Sequence, residues 1–363
     1  MSAVKLKGLS SVRRGYTTVE SWRNYVHRLV PTRPAQLTKA EWRALTSGAQ
    51  ATYDEERRNF HRQFPPLATP PMRMARSQIL PQVWDNVHGG DGALPGGAID
   101  GHATLGKTTM LAEVGRTFEL ESHQKHPAED PAEQHLSIPV VYVTLPARTT
   151  PKGFNLRLAN FYNLPLPKRL GGVTTDQLSD AVRQAVEDHQ THLILIDDVH
   201  YLQLRDRNRQ RADAARTANE HLKYLANELP ATFVYAGINL ESSGVFDDGG
   251  LLDLPSAQTG GRFLHCEVER FSADGKEWIS LLKALESNLV LLELPKGTLV
   301  TLADYLFTRT QGSIGALVTL VRKTANLAVG RNETITKKLL DQVKTDRNSQ
   351  MLADVELYGQ AHK

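Results

Sequence analysis

Eight consecutive residues, Gly101-His102-Ala103-Thr104-Leu105-Gly106-Lys107-Thr108, carry the spacing G-x-x-x-x-G-K-[ST]. Each constrained position has a physical task. The glycines let backbone N–H groups curl round an anion where a helix begins. The lysine reaches the β- and γ-phosphates of a nucleoside triphosphate, and the Thr108 hydroxyl ligates Mg2+. With Thr109, the nucleotide-binding set is Gly101, Thr104, Leu105, Gly106, Lys107, Thr108 and Thr109. The plain alternative is a glycine turn before an ordinary amphipathic helix. Context discriminates between the two, because a phosphate loop must follow a strand and open a helix.

A second element lies about ninety residues downstream. Leu193-Ile194-Leu195-Ile196 delivers Asp197 and Asp198 at the end of a short apolar run. In an open α/β sheet, ligands bind at the carboxyl ends of the strands. There one acid can hold the water shell of Mg2+, and the next can orient or deprotonate an attacking water.

These residues need strands and helices to hold them. From Gly96 the pattern alternates: strands at Ala98–Asp100, Ile138–Leu145, His192–Asp197, Ala231–Gly237 and Arg262–Val268, and helices at Lys107–Leu120, Lys152–Tyr162, Thr175–Gln190 and Ala212–Leu229. Near-continuous apolar runs mark strands buried on both faces, so the expected architecture is an α/β parallel sheet with helices on both faces. After Ser272 the strand signal stops. Helical patterns at Asp274–Ser287, Leu299–Thr310, Ser313–Val329 and Thr334–Thr345 predict an all-α unit. The chain divides into a basic N-terminal arm (1–75), an α/β nucleotide-binding domain (76–272), a helical lid (273–345) and a C-terminal tail (346–363). The arm reads as short helices at Val19–Leu29 and Lys39–Arg62, with Thr38 and Glu41 spaced as a capping box, joined by proline-stiffened linkers. A further short helix is expected at Met74–Asn86.

Composition narrows the class. Of 363 residues, 40% are hydrophobic and 23% charged, an ordinary globular mixture that excludes wholesale disorder and a coiled-coil rod. The longest apolar stretches fall far below the ~18 residues of a membrane span. The N-terminus has Lys5 and Lys7 but no apolar signal region, so a cytoplasmic protein is expected. The single cysteine, Cys266, excludes an intramolecular disulfide framework. Through Arg76, fourteen Lys and Arg face five acids, a surplus of nine positive charges; the remainder nets −6. A basic arm suits a polyanion or an acidic partner, or it is simply solvated.

The order of phosphate loop, acidic pair, polar strand end, arginine and helical lid resembles the AAA+ ATPases, and within them the TniB/TnsC-type ATP-binding proteins of DNA transposition. The resemblance is carried by Val140-Val141-Tyr142-Val143-Thr144-Leu145-Pro146, Thr150-Pro151-Lys152-Gly153-Phe154, Ile196-Asp197-Asp198-Val199-His200, Thr232-Phe233-Val234-Tyr235-Ala236-Gly237-Ile238, Gln258-Thr259-Gly260-Gly261-Arg262-Phe263 and Gly312-Ser313-Ile314-Gly315-Ala316-Leu317. It implies ATP and Mg2+ as cofactors, with Lys107 and Thr108 on phosphate and metal and Asp197 on the metal shell. Asp198 stands where the hydrolytic glutamate usually stands. Asn239 resembles the sensor-1 residue, and Arg262 an arginine presented to a neighbouring subunit's nucleotide. Asp198 is one methylene shorter than glutamate, so hydrolysis is expected to be weak or to need a partner. Gly312-Ser313-Ile314-Gly315 has no arginine at the sensor-2 position; Arg309 and Arg322 are the nearest.

The resemblance further implies a homo-oligomeric ring or filament on double-stranded DNA, with a transposase and a target-selection protein as partners. Arg148, Thr150 and Lys152 sit at a strand-to-helix turn suited to a DNA phosphate, with a plain helix cap as the alternative. Arg205, Arg207, Arg209 and Arg211 alternate along a polar loop and face DNA, a neighbouring subunit or solvent. Phosphate contacts carry no base code, so binding is expected to be sequence-neutral. The histidines, His102 and His200 among them, show no metal spacing. Competing readings are a P-loop kinase or GTPase, although no N-K-x-D signature follows, and a nucleotide-gated signalling or scaffolding module without a DNA role.

Overall fold

The computed structural model describes residues 15–28, 31–89, 94–127, 130, 135–167, 170–202, 209–243 and 263–344. Among the described residues four helices come first, α1 (Val19–Val26), α2 (Lys39–Ala44), α3 (Ser47–Arg62) and α4 (Pro70–His88). Alternation follows: β1 (Gly96–Gly101), α5 (Lys107–Lys125), β2 (Val140–Thr144), α6 (Pro151–Phe161), α7 (Thr175–Asp188), β3 (Leu193–Asp197), α8 (Arg209–Glu228), β4 (Thr232–Gly237), α9 (Leu240–Ser243) and β5 (Phe263–Val268). Helices α10 (Lys276–Ser287), α11 (Thr298–Thr301), α12 (Ala303–Thr310), α13 (Ile314–Ala328) and α14 (Lys337–Asp341) complete it. Among the described residues no helix is long and apolar enough to cross a membrane.

Contacts divide the described residues into two compact units. One draws on 15–28, 74–101 and 107–267, the other on 31–73, 102–106 and 268–344. The stretch that reads from sequence as one basic arm is therefore shared between them.

The first unit is built on a five-stranded sheet of order β2-β3-β4-β1-β5. The β2–β3, β3–β4 and β4–β1 pairings are parallel. Every residue of β3 and β4 is buried, which explains why β3 is apolar up to Asp197 and β4 apolar after Thr232. β5 lies at the sheet edge and alternates instead, with Cys266 and Val268 inward and His265 and Glu267 outward. Gly115 lets α5 press close to the sheet. A Cβ there would come within 2.5 Å of Leu195 and 3.0 Å of Trp22.

Helix α1 is amphipathic as its spacing predicts, with Val19, Trp22, Tyr25 and Val26 buried. Its polar anchors are on α5: the Trp22 indole donates to Glu119 Oε2 at 2.5 Å and the Tyr25 hydroxyl to Glu113 Oε1 at 2.6 Å.

In the second unit the expected Lys39–Arg62 helix is broken. Leu45 is extended, and Thr46 accepts from Ala49 N to start α3 afresh; Thr38 and Glu41 do form the capping box that opens α2. The Leu299–Thr310 pattern is likewise two helices. The Glu286 carboxylate accepts from Gly297 N (2.6 Å) and Leu299 N (2.7 Å), and this fixes a separate start for α11. Helix α4 runs beyond the expected Met74–Asn86 and through Pro81. Burial of Met72, Ala75, Ile79, Leu80 and Val83 outweighs the lost backbone bond.

Arg57 of α3 is fully buried and forms ion pairs with Glu333 (2.6 Å) and Asp54 (2.6 Å). Burial alone would raise the Glu333 carboxyl, but Arg57 and the N–H groups of Gly330 and Leu292 hold it below its ordinary range. Nearby, the His61 imidazole accepts from Val290 N at 3.0 Å, and burial pulls it down to about 4, so it is neutral. These polar groups tie α3 to the α10–α14 core.

Glu119 offers a test of the first unit. Burial pushes its carboxyl up to about 7, against the opposing effects of the Trp22 indole and Arg23. A carboxyl raised above its unfolded value of about 4.3 contributes stability that is full below that value and lost as pH rises through the folded one. Stability should therefore fall by about 3 kcal/mol between roughly pH 4 and pH 8 on this account. Glu119→Gln should remove that slope and be the more stable form at pH 8. Urea unfolding of both proteins across this range checks it; equal slopes would refute the assignment.

Candidate functional site

Strand β1 ends at Gly101, and α5 begins at Lys107, so the loop between them has the strand-before, helix-after setting that a phosphate cradle requires. The loop turns through left-handed backbone at Thr104 (φ 66) and Gly106 (φ 86). Leu105 is buried, while Thr104, Thr108 and Thr109 are exposed. Lys107 is only 9% exposed, and its Nζ donates to Gly101 O at 2.7 Å. Burial pulls its pKa below the ordinary lysine range, and Asp100, Asp197 and Asp198 pull it back up.

Asp197 ends β3, buried at 4% exposure. Its two carboxylate oxygens accept different donors. Oδ1 takes Asp198 N at 2.9 Å, and Oδ2 takes the Tyr142 hydroxyl at 2.7 Å. Asp198 has left-handed backbone (φ 60) and a half-exposed side chain. Burial and the Asp197 charge raise its pKa. His200 Nδ1 stands 4.0 Å from Asp198 Oδ1, too far for a hydrogen bond, and has no hydrogen-bond partner among the described residues. Burial lowers the His200 pKa, so the ring is neutral at pH 7.

Asn239 follows β4 in left-handed backbone (φ 52), and its carbonyl accepts from Ser243 N to start α9. The next residue fixes that turn: Leu240 N donates to Asp100 Oδ2 at 2.7 Å, while Asp100 Oδ1 accepts from Gly101 N at 2.6 Å. One buried carboxylate thus ties the start of the phosphate loop to the Asn239 turn. His265 of β5 approaches the same carboxylate to 3.7 Å.

Four residues of this constellation carry no role legible from the sequence motifs: Asp100, Tyr142, His200 and His265. Asp100 has a usable signal, an acid ending a buried strand, the feature that singles out Asp197. Tyr142, His200 and His265 have none, because their partners come from the fold.

Within the second unit, the backbone of the loop is held by the start of α13. Ser313 Oγ donates to Thr104 O at 3.0 Å, and Gly315 N donates to the same oxygen at 3.0 Å. Arg309 is committed elsewhere, donating to the Tyr305 hydroxyl (2.6 Å) and Val343 O (2.8 Å). Arg322 donates to Arg62 O at 3.2 Å. Neither arginine is drawn to the loop by these bonds.

At the β2–α6 turn, Arg148 is exposed with φ 62. Thr150 is the helix N-cap, accepting from Gly153 N at 3.1 Å, and Lys152 Nζ donates to Val173 O at 2.5 Å. Arg148 is therefore the more accessible of the two cations at this turn. Arg262, Arg205 and Arg207 lie outside the described residues, as do the side chains of Arg209 and Arg211.

The donor set fits a magnesium nucleotide. One buried ammonium, Lys107, lies in the field of three carboxylates, an excess of negative charge that a divalent cation balances. The loop N–H groups and the helix start suit the phosphates.

The comparisons agree with this geometry. Residues 96–242 match the AAA domain family. The fold is similar to that of ORC2 from Aeropyrum pernix, solved as ADPNP–ADP complexes, at 12% identity over 77% of this chain and 67% of that one, TM-score 0.50. Further similarities are to a Walker-type ATPase of Pyrococcus abyssi (13% identity, 82% and 77% covered, TM-score 0.45) and to AMPPCP-bound DnaA from Aquifex aeolicus (17%, 75% and 66%, TM-score 0.41). No curated protein matches the sequence. Residues 96–242 thus match an AAA domain and carry a P-loop ATPase-type nucleotide-binding fold.

Asp100 can be tested as the tie between loop and Asn239 turn. Asp100→Asn keeps the shape but offers one oxygen where two N–H groups need acceptors. Leaving one donor unpaired should cost on the order of 1–3 kcal/mol in stability. Nucleotide affinity should fall by about tenfold, since the loop loses its anchor. Thermal unfolding and titration with a fluorescent nucleotide check both. An affinity equal to that of the parent would remove Asp100 from the site.

Proposed function

We propose that this AAA domain makes the protein an ATP-dependent, DNA-binding regulator of transposition, which oligomerises on target DNA and recruits or activates a transposase. The observation that supports nucleotide-driven action is the meeting of Lys107, Asp197 and Asp198, with the Asn239 turn tied to the loop strand through Asp100. The transposition role rests on the order of motifs that resembles the TniB/TnsC-type proteins.

In this reading Gly101, Thr104, Leu105, Gly106, Thr108 and Thr109 wrap the phosphates, and Lys107 neutralises them. Thr108 and Asp197 hold the metal, which when bound supplies positive charge at the β- and γ-phosphates. Asp198 orients the attacking water and takes its proton, and Asn239 contacts the γ-phosphate or that water. Arg262 of a neighbouring copy stabilises the charge of the transition state. Hydrolysis is weak because the Asp198 side chain is short, and a displacement of about 1 Å costs on the order of 10²-fold in rate. Copies stacked through Arg262 present Arg148, with Thr150 and Lys152, repeatedly to the DNA backbone. Each phosphate contacted adds about 0.9 to the log–log salt slope.

Three experiments test this. Lys107→Ala should abolish ATP binding by calorimetry while leaving the fold intact; unchanged affinity would remove the assignment. Asp198→Asn should lower hydrolysis by on the order of 10²-fold and trap an ATP-bound oligomer, whereas Asp198→Glu should match or exceed the parent. Sedimentation with random duplex, with and without a non-hydrolysable ATP analogue, examines the DNA role. ATP-dependent co-sedimentation that weakens steeply with salt, and less steeply in Arg148→Ala, is expected. Nucleotide binding without any duplex binding would favour a nucleotide-gated scaffold instead.

A further inference from the structure

The N-terminal segment reaches the acidic pair through aromatic rings. Tyr142 stands in β2, 2% exposed, with its hydroxyl on Asp197 Oδ2 at 2.7 Å. On its ring sit two side chains from the other end of the sequence. Trp22 of α1 stacks on it at 5.8 Å with a 22° interplanar angle, and Tyr16, just before α1, meets it edge-on at 4.7 Å. Tyr16 also packs on Trp22 (5.5 Å) and Tyr25 (4.7 Å). The cluster is pinned from the far side, since Trp22 and Tyr25 donate to Glu119 and Glu113, and Arg116 Nε donates to Val26 O at 2.9 Å.

The pinning has a direction. Polar bonds on α5 fix where α1 lies, and aromatic packing from α1 then leaves the Tyr142 ring one place to stand. A phenol has two side-chain torsions, so a ring clamped on its face and edge delivers its hydroxyl to a defined point. That point is one oxygen of Asp197, while the backbone N–H of Asp198 holds the other. A carboxylate held at both oxygens cannot rotate. Each oxygen keeps a further lone pair, so both bonds can persist while the group faces a metal's water shell.

We propose that Tyr142 is a positioning residue for Asp197, and that Tyr16 and Trp22 hold Tyr142 in place, so that the N-terminal segment sets how tightly the site takes Mg2+ with its nucleotide. The proposal rests on the reading of Asp197 as the metal-side acid. It separates two roles of the segment at 15–28: it is part of the core of the nucleotide domain, and anything that lifts Tyr16 from Tyr142 loosens the metal site without touching the phosphate loop.

The test uses the full chain and a fluorescent ATP analogue, titrated first in EDTA and then with Mg2+ at fixed nucleotide. Tyr142→Phe removes only the hydroxyl. It should bind the analogue in EDTA as the parent does, but need about tenfold more Mg2+ to reach half of the metal-dependent gain, the scale of one lost hydrogen bond to a charged group. Tyr16→Ala, at the half-buried margin of the cluster, should shift the Mg2+ requirement in the same direction by about threefold. Tyr25→Phe removes a hydroxyl that pins α1 to Glu113 without touching Asp197, and should shift the Mg2+ midpoint less than Tyr142→Phe does. A Tyr142→Phe midpoint equal to the parent's overturns the proposal, as does an equal loss of affinity in EDTA and in Mg2+, which marks a merely structural role. A shift as large in Tyr25→Phe also overturns it. If the parent binds the analogue with no Mg2+ dependence, the reading of Asp197 falls first and this proposal with it.

Discussion

At the carboxyl edge of the sheet, three carboxylates share the neighbourhood of one buried ammonium. A buried carboxylate persists only where donors replace the water it has lost. Here the donors are specific: Gly101 N and Leu240 N for Asp100, and Asp198 N and the Tyr142 hydroxyl for Asp197. Each donor belongs to a turn or strand that must then lie where the acid is. Satisfying the acids therefore dictates the start of the phosphate loop, the turn after β4 and the ring position in β2. The functional groups are not decorations on a finished scaffold; their desolvation is part of what shapes it.

Strand order makes this possible. Because β4 lies between β1 and β3, its end falls between the phosphate loop and the acidic pair. Asn239 thus arrives between the two without any long excursion of chain. Left-handed backbone at Thr104, Asp198 and Asn239 marks the three turns that leave β1, β3 and β4 at this edge. Non-glycine residues are uncommon in that region, and each of these turns lies at the carboxyl end of its strand.

The second unit follows the same electrostatic logic in a structural role. Arg57 is buried only because Asp54 and Glu333 meet it, and Glu333 in turn is held by backbone N–H groups of Gly330 and Leu292. Replacing one partner would strand a buried charge. Residues 31–73 are thereby built into a helical core through α3. Thr104 receives its donors from the cap of α13, so the conformation of the loop is set by more than its own sequence.

Much was legible before any coordinates. The G-x-x-x-x-G-K-[ST] spacing, the apolar run before Asp197 and the Thr38–Glu41 box are local, and local chemistry survives in one dimension. So did the alternation of elements, since strands buried on both faces must be apolar throughout. What sequence could not supply was whatever depends on partners distant in the chain. Tyr142 reads as one more β-former in Val140–Thr144, and only the pairing of β2 with β3 carries its hydroxyl to Asp197. Thr150 and Lys152 read as a strand-to-helix turn, a phosphate site or a plain cap; the bond from Lys152 to Val173 O comes only from the fold. Trp22 reads as the apolar face of a short helix, and its place on Tyr142 depends on the anchors of α1 on α5. Side-chain type and short spacing were enough to single out the phosphate loop and the acidic pair, which are local. Tertiary structure alone decided which residues stand together, because desolvation and hydrogen-bond geometry act through space and not along the chain.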